Sequence, residues 1–220
     1  MNNILEKISV CVERGKVNAD SRYPPDLRGQ EGADELTRKA LDRNIPPRKI
    51  LTSGLISGMQ TVGEKFRKNE IYLPDVLVAA KAMTAAMGHL KPYFISGDVQ
   101  HKGRIIMGTV SGDLHDIGKK IVAMFLEGSG WEVIDYGVDV SSQDFIKAIK
   151  KHKPLAVGMS ALLTTTMVHM EETVKSVKSK FPEVKVLVGG APVTDAFAQK
   201  VGADMTSAHP QEAVDYLENQ

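Results

Sequence analysis

From Arg104 to the C-terminus the chain alternates between two kinds of segment, and no other feature limits its fold as tightly. Apolar, β-rich runs near 104–110, 131–136, 154–159, 184–188 and 203–206 are separated by amphipathic stretches of helical length. Parallel strands need a crossover of a dozen or more residues between them, usually a helix. Five strands, each followed by a helix, therefore predict a flavodoxin-like, doubly wound parallel sheet with right-handed crossovers. Ligands of such α/β sheets bind beyond the carboxyl ends of the strands, where the strand order reverses. The first and third strands flank that reversal, so His115 and Ser160, which follow them, are expected in one crevice.

Residues 1–95 have a different period. Leu51, Leu55, Met59, Val62 and Phe66, then Val76, Leu77, Ala80, Met83, Met87 and Leu90, recur at helical spacing. Ile4, Leu5, Ile8, Cys11 and Val12 predict a first helix and Leu36, Ala40 and Leu41 a second, giving a four-helix bundle. Pro46-Pro47 and Pro74 mark helix starts, where proline forfeits no hydrogen bond. Gly15 to Ala33, rich in Pro, Gly and charge, is expected to be a long surface connection and a tolerated insertion. Ser96 to Lys102 is short, polar and aperiodic, so a linker is placed at 96–102 between a bundle at 1–95 and an α/β domain at 103–220.

With 28 Lys+Arg against 27 Asp+Glu in 220 residues, the formal charge is +1. No chain-wide basic field exists to attract nucleic acid or anionic lipid, and neither is an expected partner. The single cysteine, Cys11, excludes an internal disulfide and any multi-cysteine zinc site. No apolar run approaches the ~20 residues of a membrane span, and no secretory leader pattern is visible, so a cytoplasmic location is expected.

Three strand ends carry special residues. After the first comes Gly112 followed by Asp113-Leu114-His115-Asp116-Ile117-Gly118. A histidine there, flanked by carboxylates, can present one ring nitrogen outward while Asp113 orients the other. Taken alone, the segment fits equally a structural turn, a general-base pair or part of a hard-metal site, and a turn is the simplest of these. The third strand ends in Met159-Ser160-Ala161-Leu162 and the fourth in Val188-Gly189-Gly190-Ala191. A phosphate loop fails on inspection: five residues rather than four separate Gly112 from Gly118, and Lys119 is followed by Lys120 rather than Ser or Thr.

In this order, Asp113-x-His115-x-x-Gly118, Ser160-x-Leu162 and Gly189-Gly190 resemble the cobalamin-binding module of methionine synthase and of the corrinoid methyltransferase proteins. Gly54 to Phe66, continuing to Tyr72-Leu73-Pro74, resembles the helical cap that precedes that module. The likeness covers nearly the whole chain and is nearest to the small corrinoid proteins of methyltransferase systems. Asn69 stands where a glycine is common.

The resemblance implies cobalamin as cofactor, with the neutral imidazole of His115 replacing the cofactor's benzimidazole as lower ligand of cobalt. It implies contacts along Gly112, Asp113, Leu114, His115, Asp116, Ile117 and Gly118. It further implies contacts to the nucleotide tail from Ser160, Gly189 and Gly190, and from Ala208 near the fifth strand end, a backbone or tail contact from Thr164, and cofactor contacts from Leu162 and Ala191. Asp113 and a hydroxyl complete a proton relay in the family, and the matching hydroxyl is Thr166, although three threonines in a row also suit a helix start. Phe66 and Leu73 match residues that cover the upper face of the corrin; without the resemblance they read as helix core. The remaining histidines, His89, His101, His152, His169 and His209, share no ligand spacing.

The function implied is that of a methyl carrier. Cobalt(I) takes a methyl group from a donor on one partner methyltransferase, giving methylcobalamin, and a second methyltransferase passes it to tetrahydrofolate or a thiol. A reductive activating protein is the third expected partner. The chain itself is then a carrier subunit, since a substrate barrel of ~250 residues does not fit beside bundle and sheet. Two alternatives remain: a cobalamin-dependent sensor, which wants a basic helix-turn-helix segment, and the small subunit of an adenosylcobalamin mutase, which lacks the cap. Donor, acceptor, oligomeric state and the native lower base are not encoded in these motifs.

Overall fold

A computed structural model describes residues 2–206 and 208–220. The chain divides into two compact units, one running to His101 together with Gly128–Gly130, the other comprising Lys102–Glu127 and Trp131–Gln220. Among the described residues no helix is long and apolar enough to cross a membrane.

In the first unit the apolar periodicity becomes α1 (Asn2–Glu13), α2 (Ala33–Asp42), α3 (Pro47–Ile50), α4 (Ser57–Arg67) and α5 (Leu73–Ser96). A π-helical turn at Leu51–Ile56 joins α3 to α4, so these form one helix with a widened turn and the unit is a four-helix bundle. Pro47 occupies the first turn of α3 and Pro74 that of α5, as the lost amide requires. Ile8, Val12, Ile50, Leu55, Met59, Val62, Val76 and Leu90 are fully or almost fully buried between the helices. A Cβ on Gly58 would lie 2.6 Å from the carbonyl oxygen of Ser9, so glycine is what lets α1 approach α4. Asn69 closes α4 at φ 57°, a left-handed position asparagine tolerates, which explains its exchange for glycine.

The stretch from Gly15 to Ala33 is not the loose insertion its composition suggests. Lys16 is completely buried, its ammonium donating to the carbonyl of Ser21 at 2.9 Å. The carboxylate of Glu35 accepts the amides of Ala19 and Gly32, each at 2.9 Å. Arg14 holds Asp26, and the hydroxyl of Tyr23 reaches Asp75 at the start of α5. The segment is tied down at several points along its length, chiefly by polar groups.

The second unit is a five-stranded parallel sheet of β1 (Arg104–Thr109), β2 (Glu132–Asp135), β3 (Ala156–Ser160), β4 (Lys185–Gly189) and β5 (Met205–Thr206), in the order β2-β1-β3-β4-β5. The connecting helices are α6 (Ile117–Gly128), α7 (Ser142–His152), α8 (Met167–Lys180) and α9 (Asp195–Val201), and α10 (Pro210–Glu218) follows β5. The central strands are apolar at nearly every position because helices cover both faces. Ile106, Val157, Met159, Val186 and Val188 on the strands belong to one buried cluster with Phe145, Ile149, Met170, Val174 and Val177. The predicted fold class therefore stands. The chain leaves β1 toward β2 and crosses back over it to β3, so the reversal lies between β1 and β3.

Candidate functional site

Strand register brings the three special segments together. Thr109 pairs with Ser160, and Ser160 with Gly189, so the last residues of β1, β3 and β4 form one row along the carboxyl edge. From β1 the chain turns through Gly112, at φ 80°, into the loop carrying Asp113 and His115.

Asp113 is wholly buried, and its carboxylate is saturated by five donors. Oδ1 accepts the His115 amide at 3.0 Å and faces His115 Nδ1 at 2.8 Å. Oδ2 accepts the amides of Leu162 at 2.7 Å and Leu163 at 3.2 Å, and the Thr166 hydroxyl at 2.8 Å. Burial works against the charge, but the amides of His115 and Leu162, the imidazole and the Thr166 hydroxyl outweigh it and hold the carboxyl well below the usual carboxylate range. An ionised carboxylate only accepts, so Nδ1 carries the hydrogen, which in the neutral ring leaves the lone pair on Nε2. The His115 side chain is 52% exposed, which leaves that lone pair accessible to a ligand.

The Thr166 hydroxyl has a second acceptor, the carbonyl of Leu163 at 2.9 Å, so its one proton serves two oxygens. The other predicted residues divide. Leu162 enters through its amide, while Leu114, Ile117, Leu162 and Leu163 expose 72%, 70%, 42% and 43% of their surfaces and form an apolar collar near His115. Gly118 and Gly189 face open space, so a group can approach either backbone. Gly190 does something else: at φ 128° its missing Cβ would stand 1.8 Å from the carbonyl oxygen of Ala161, so glycine is demanded by the fold itself. Asp116 is drawn away from the histidine into an ion pair with Lys120, one helical turn on in α6. Ser160 is half-buried at the sheet edge; Thr164, Ala191 and Ala208 are exposed. In the first unit, Phe66 and Leu73 are only partly buried, unlike the core residues beside them.

Among the described residues no three His, Cys, Asp or Glu side chains converge as a metal site. His115 alone offers one nitrogen, enough for the axial position of a metal that arrives in its own chelate. Residues 103–215 match the model of a B12 binding domain, and residues 29–91 match a second B12 binding domain model.

The chain belongs to the corrinoid, cobalamin-binding proteins.

It is 41% identical to the trimethylamine corrinoid protein of Methanosarcina barkeri, over 84% of this chain and 87% of that one. It is 42% identical to dimethylamine corrinoid protein 3 of Methanosarcina acetivorans, over 77% and 81% respectively. Among solved structures it is similar to the methanol:cobalamin methyltransferase complex of Methanosarcina barkeri, with TM-score 0.83, 25% identity and coverage of 99% of this chain and 79% of that one. It is also similar to a cobalamin-binding protein of Desulfitobacterium hafniense, with TM-score 0.74, 30% identity and coverage of 99% and 97%.

The site of this corrinoid protein suits the cofactor on chemical grounds: an exposed imidazole oriented through its Nδ1, an apolar collar for a flat macrocycle, and an open glycine at the β4 end. Three contributors escaped the motif reading. Thr109, fully buried, donates its hydroxyl to the carbonyl of His115 at 2.9 Å. Lys119, almost fully buried at the start of α6, is paired with Asp135 at the end of β2. Asp139, after β2, accepts the Gly112 amide at 2.7 Å. A hydroxyl ending an apolar strand was a usable signal for Thr109; Asp139 left none.

Proposed function

We propose that this corrinoid protein carries methyl groups from a methylated amine, held by a donor-side methyltransferase, to an acceptor-side methyltransferase serving tetrahydrofolate or a thiol, with a reductive protein restoring the cofactor. The names of its relatives support the amine, and the likeness to a methanol:cobalamin methyltransferase complex supports the need for a partner. The carrying observation is the hydrogen-bonded pair of Asp113 and His115 at the edge where β1 and β3 diverge.

Bound cobalamin supplies a cobalt centre able to accept a methyl group and give it up again. The chain's residues do the rest. His115 Nε2 would be the protein's ligand to the cobalt, and Asp113, itself held by its other donors, fixes the ring's orientation through Nδ1. Asp113 holds Nδ1 whether or not Nε2 is engaged, so the ring keeps its orientation. Thr166 keeps one Asp113 oxygen engaged while the other follows the ring. Ser160 and Gly189 receive the nucleotide tail, Gly189 by allowing close backbone approach.

The test is the paramagnetic-resonance spectrum of cobalamin-reconstituted protein in the cobalt(II) state. Nitrogen splitting that responds to isotopic labelling of histidine, and that disappears in His115→Ala, is the expected result. A wild-type spectrum without histidine splitting would overturn the assignment.

A further inference from the structure

The imidazole's direction is set by Asp113, and Asp113 must itself be aimed. Its carboxylate is held from the β3–α8 side, by Leu162, Leu163 and Thr166. Its backbone is held by Val110, whose carbonyl accepts the Asp113 amide at 3.1 Å, and by Asp139. The Asp139 amide donates to the carbonyl of Asp113 at 3.1 Å, and its Oδ1 accepts the Gly112 amide at 2.7 Å and the Ser111 hydroxyl at 3.3 Å. One residue thus engages three consecutive residues ahead of His115.

The backbone of Asp139 is placed for this. The carbonyl of Gly137 accepts the amide of Thr109 at 2.9 Å, and the amide of Val140 donates to the carbonyl of Thr109 at 2.9 Å, so the chain on either side of Asp139 is sewn to the end of β1. Between those anchors Asp139 adopts φ 54°, a left-handed conformation that aspartate tolerates better than most residues. Nothing about the turn requires a charge there; what Asp139 supplies is an acceptor for the Gly112 amide, which would otherwise face solvent.

We infer that Asp139 is a positioning residue of the cofactor site, gripping Ser111–Asp113 so that the Asp113–His115 pair holds the imidazole where it can ligate. This rests on His115 being the ligand. Asp139 touches no reacting atom and acts through Asp113.

Two substitutions separate the possibilities. Asp139→Gly keeps the left-handed backbone and the amide bond to Asp113 but removes the acceptor; Asp139→Asn keeps an acceptor without the charge. Each is reconstituted with cobalamin, reduced to cobalt(II), and its histidine-ligated fraction read from nitrogen splitting alongside wild type and His115→Ala. Asp139→Gly, which loses the bonds from the Gly112 amide and the Ser111 hydroxyl, is expected to bind cobalamin with the ratio of ligated to unligated histidine lowered at least roughly fivefold, about the effect of one hydrogen bond, and Asp139→Asn to match wild type. An unchanged ratio in Asp139→Gly, or an equal loss in Asp139→Asn, overturns the inference while leaving His115 as ligand. Absent splitting in wild type overturns both. A readout free of substitutions accompanies these: in cofactor-free wild type the Gly112 amide should exchange slowly with solvent despite its exposure, and fast exchange contradicts the grip.

Discussion

At the scale of single residues, one buried charge decides which face of an imidazole is offered. Because the carboxyl pKa of Asp113 is lowered in the folded chain, its contribution to stability is complete above the unfolded value of about 3.9 and fades as pH falls toward the lower folded value. Asp113→Asn, which turns an acceptor of five bonds into a group with its own donors, should be markedly less stable than wild type in urea at pH 7. The gap should narrow below about pH 4, and a gap independent of pH would show that the charge plays no part. Asp113, His115 and Ser160 were legible because polar residues directly after apolar strands are conspicuous. Asp139 was not, since its conformation and its partner across the strand gap leave no local trace.

Among elements, the β4–α9 turn separates two glycines that look alike on paper. Gly190→Ala would drive a methyl group onto the Ala161 carbonyl, so calorimetry should show a large loss of stability, within or beyond the ~1–3 kcal/mol typical of overpacking. Gly189→Ala meets open space and should leave the melting temperature of the cofactor-free protein nearly unchanged while weakening cobalamin binding in titration. Equal melting temperatures for the two variants would refute the distinction. The strands were legible because apolar runs covered on both faces differ sharply from amphipathic helices. The π-turn at Leu51–Ile56 was not, because one extra residue in a turn scarcely alters apolar spacing. Nor was the anchoring of Gly15 to Ala33: its composition is that of a loop, and a lysine stem buried to its tip reads in sequence as a surface charge.

For the molecule as a whole, each unit has its own core, and the first carries a built-in reporter. Burial pushes the Cys11 thiol up to about 11, so at pH 8 almost none of it is thiolate. A thiol reagent should therefore label the native protein slowly and react promptly once urea opens the bundle; rapid labelling of the native protein would contradict the packing of α1. The two-part organisation was readable from the change of period near residue 100, whereas the finer ties within each part depend on long-range polar contacts that no periodicity encodes. The apolar collar has a consequence for the protein before it meets its cofactor. Leu114 and Ile117 each leave about seven-tenths of their surface in water, and grouped apolar surface of that kind promotes self-association. The cofactor-free chain is therefore expected to be sticky at this edge, and to stay in solution less readily than the same chain once that surface is covered.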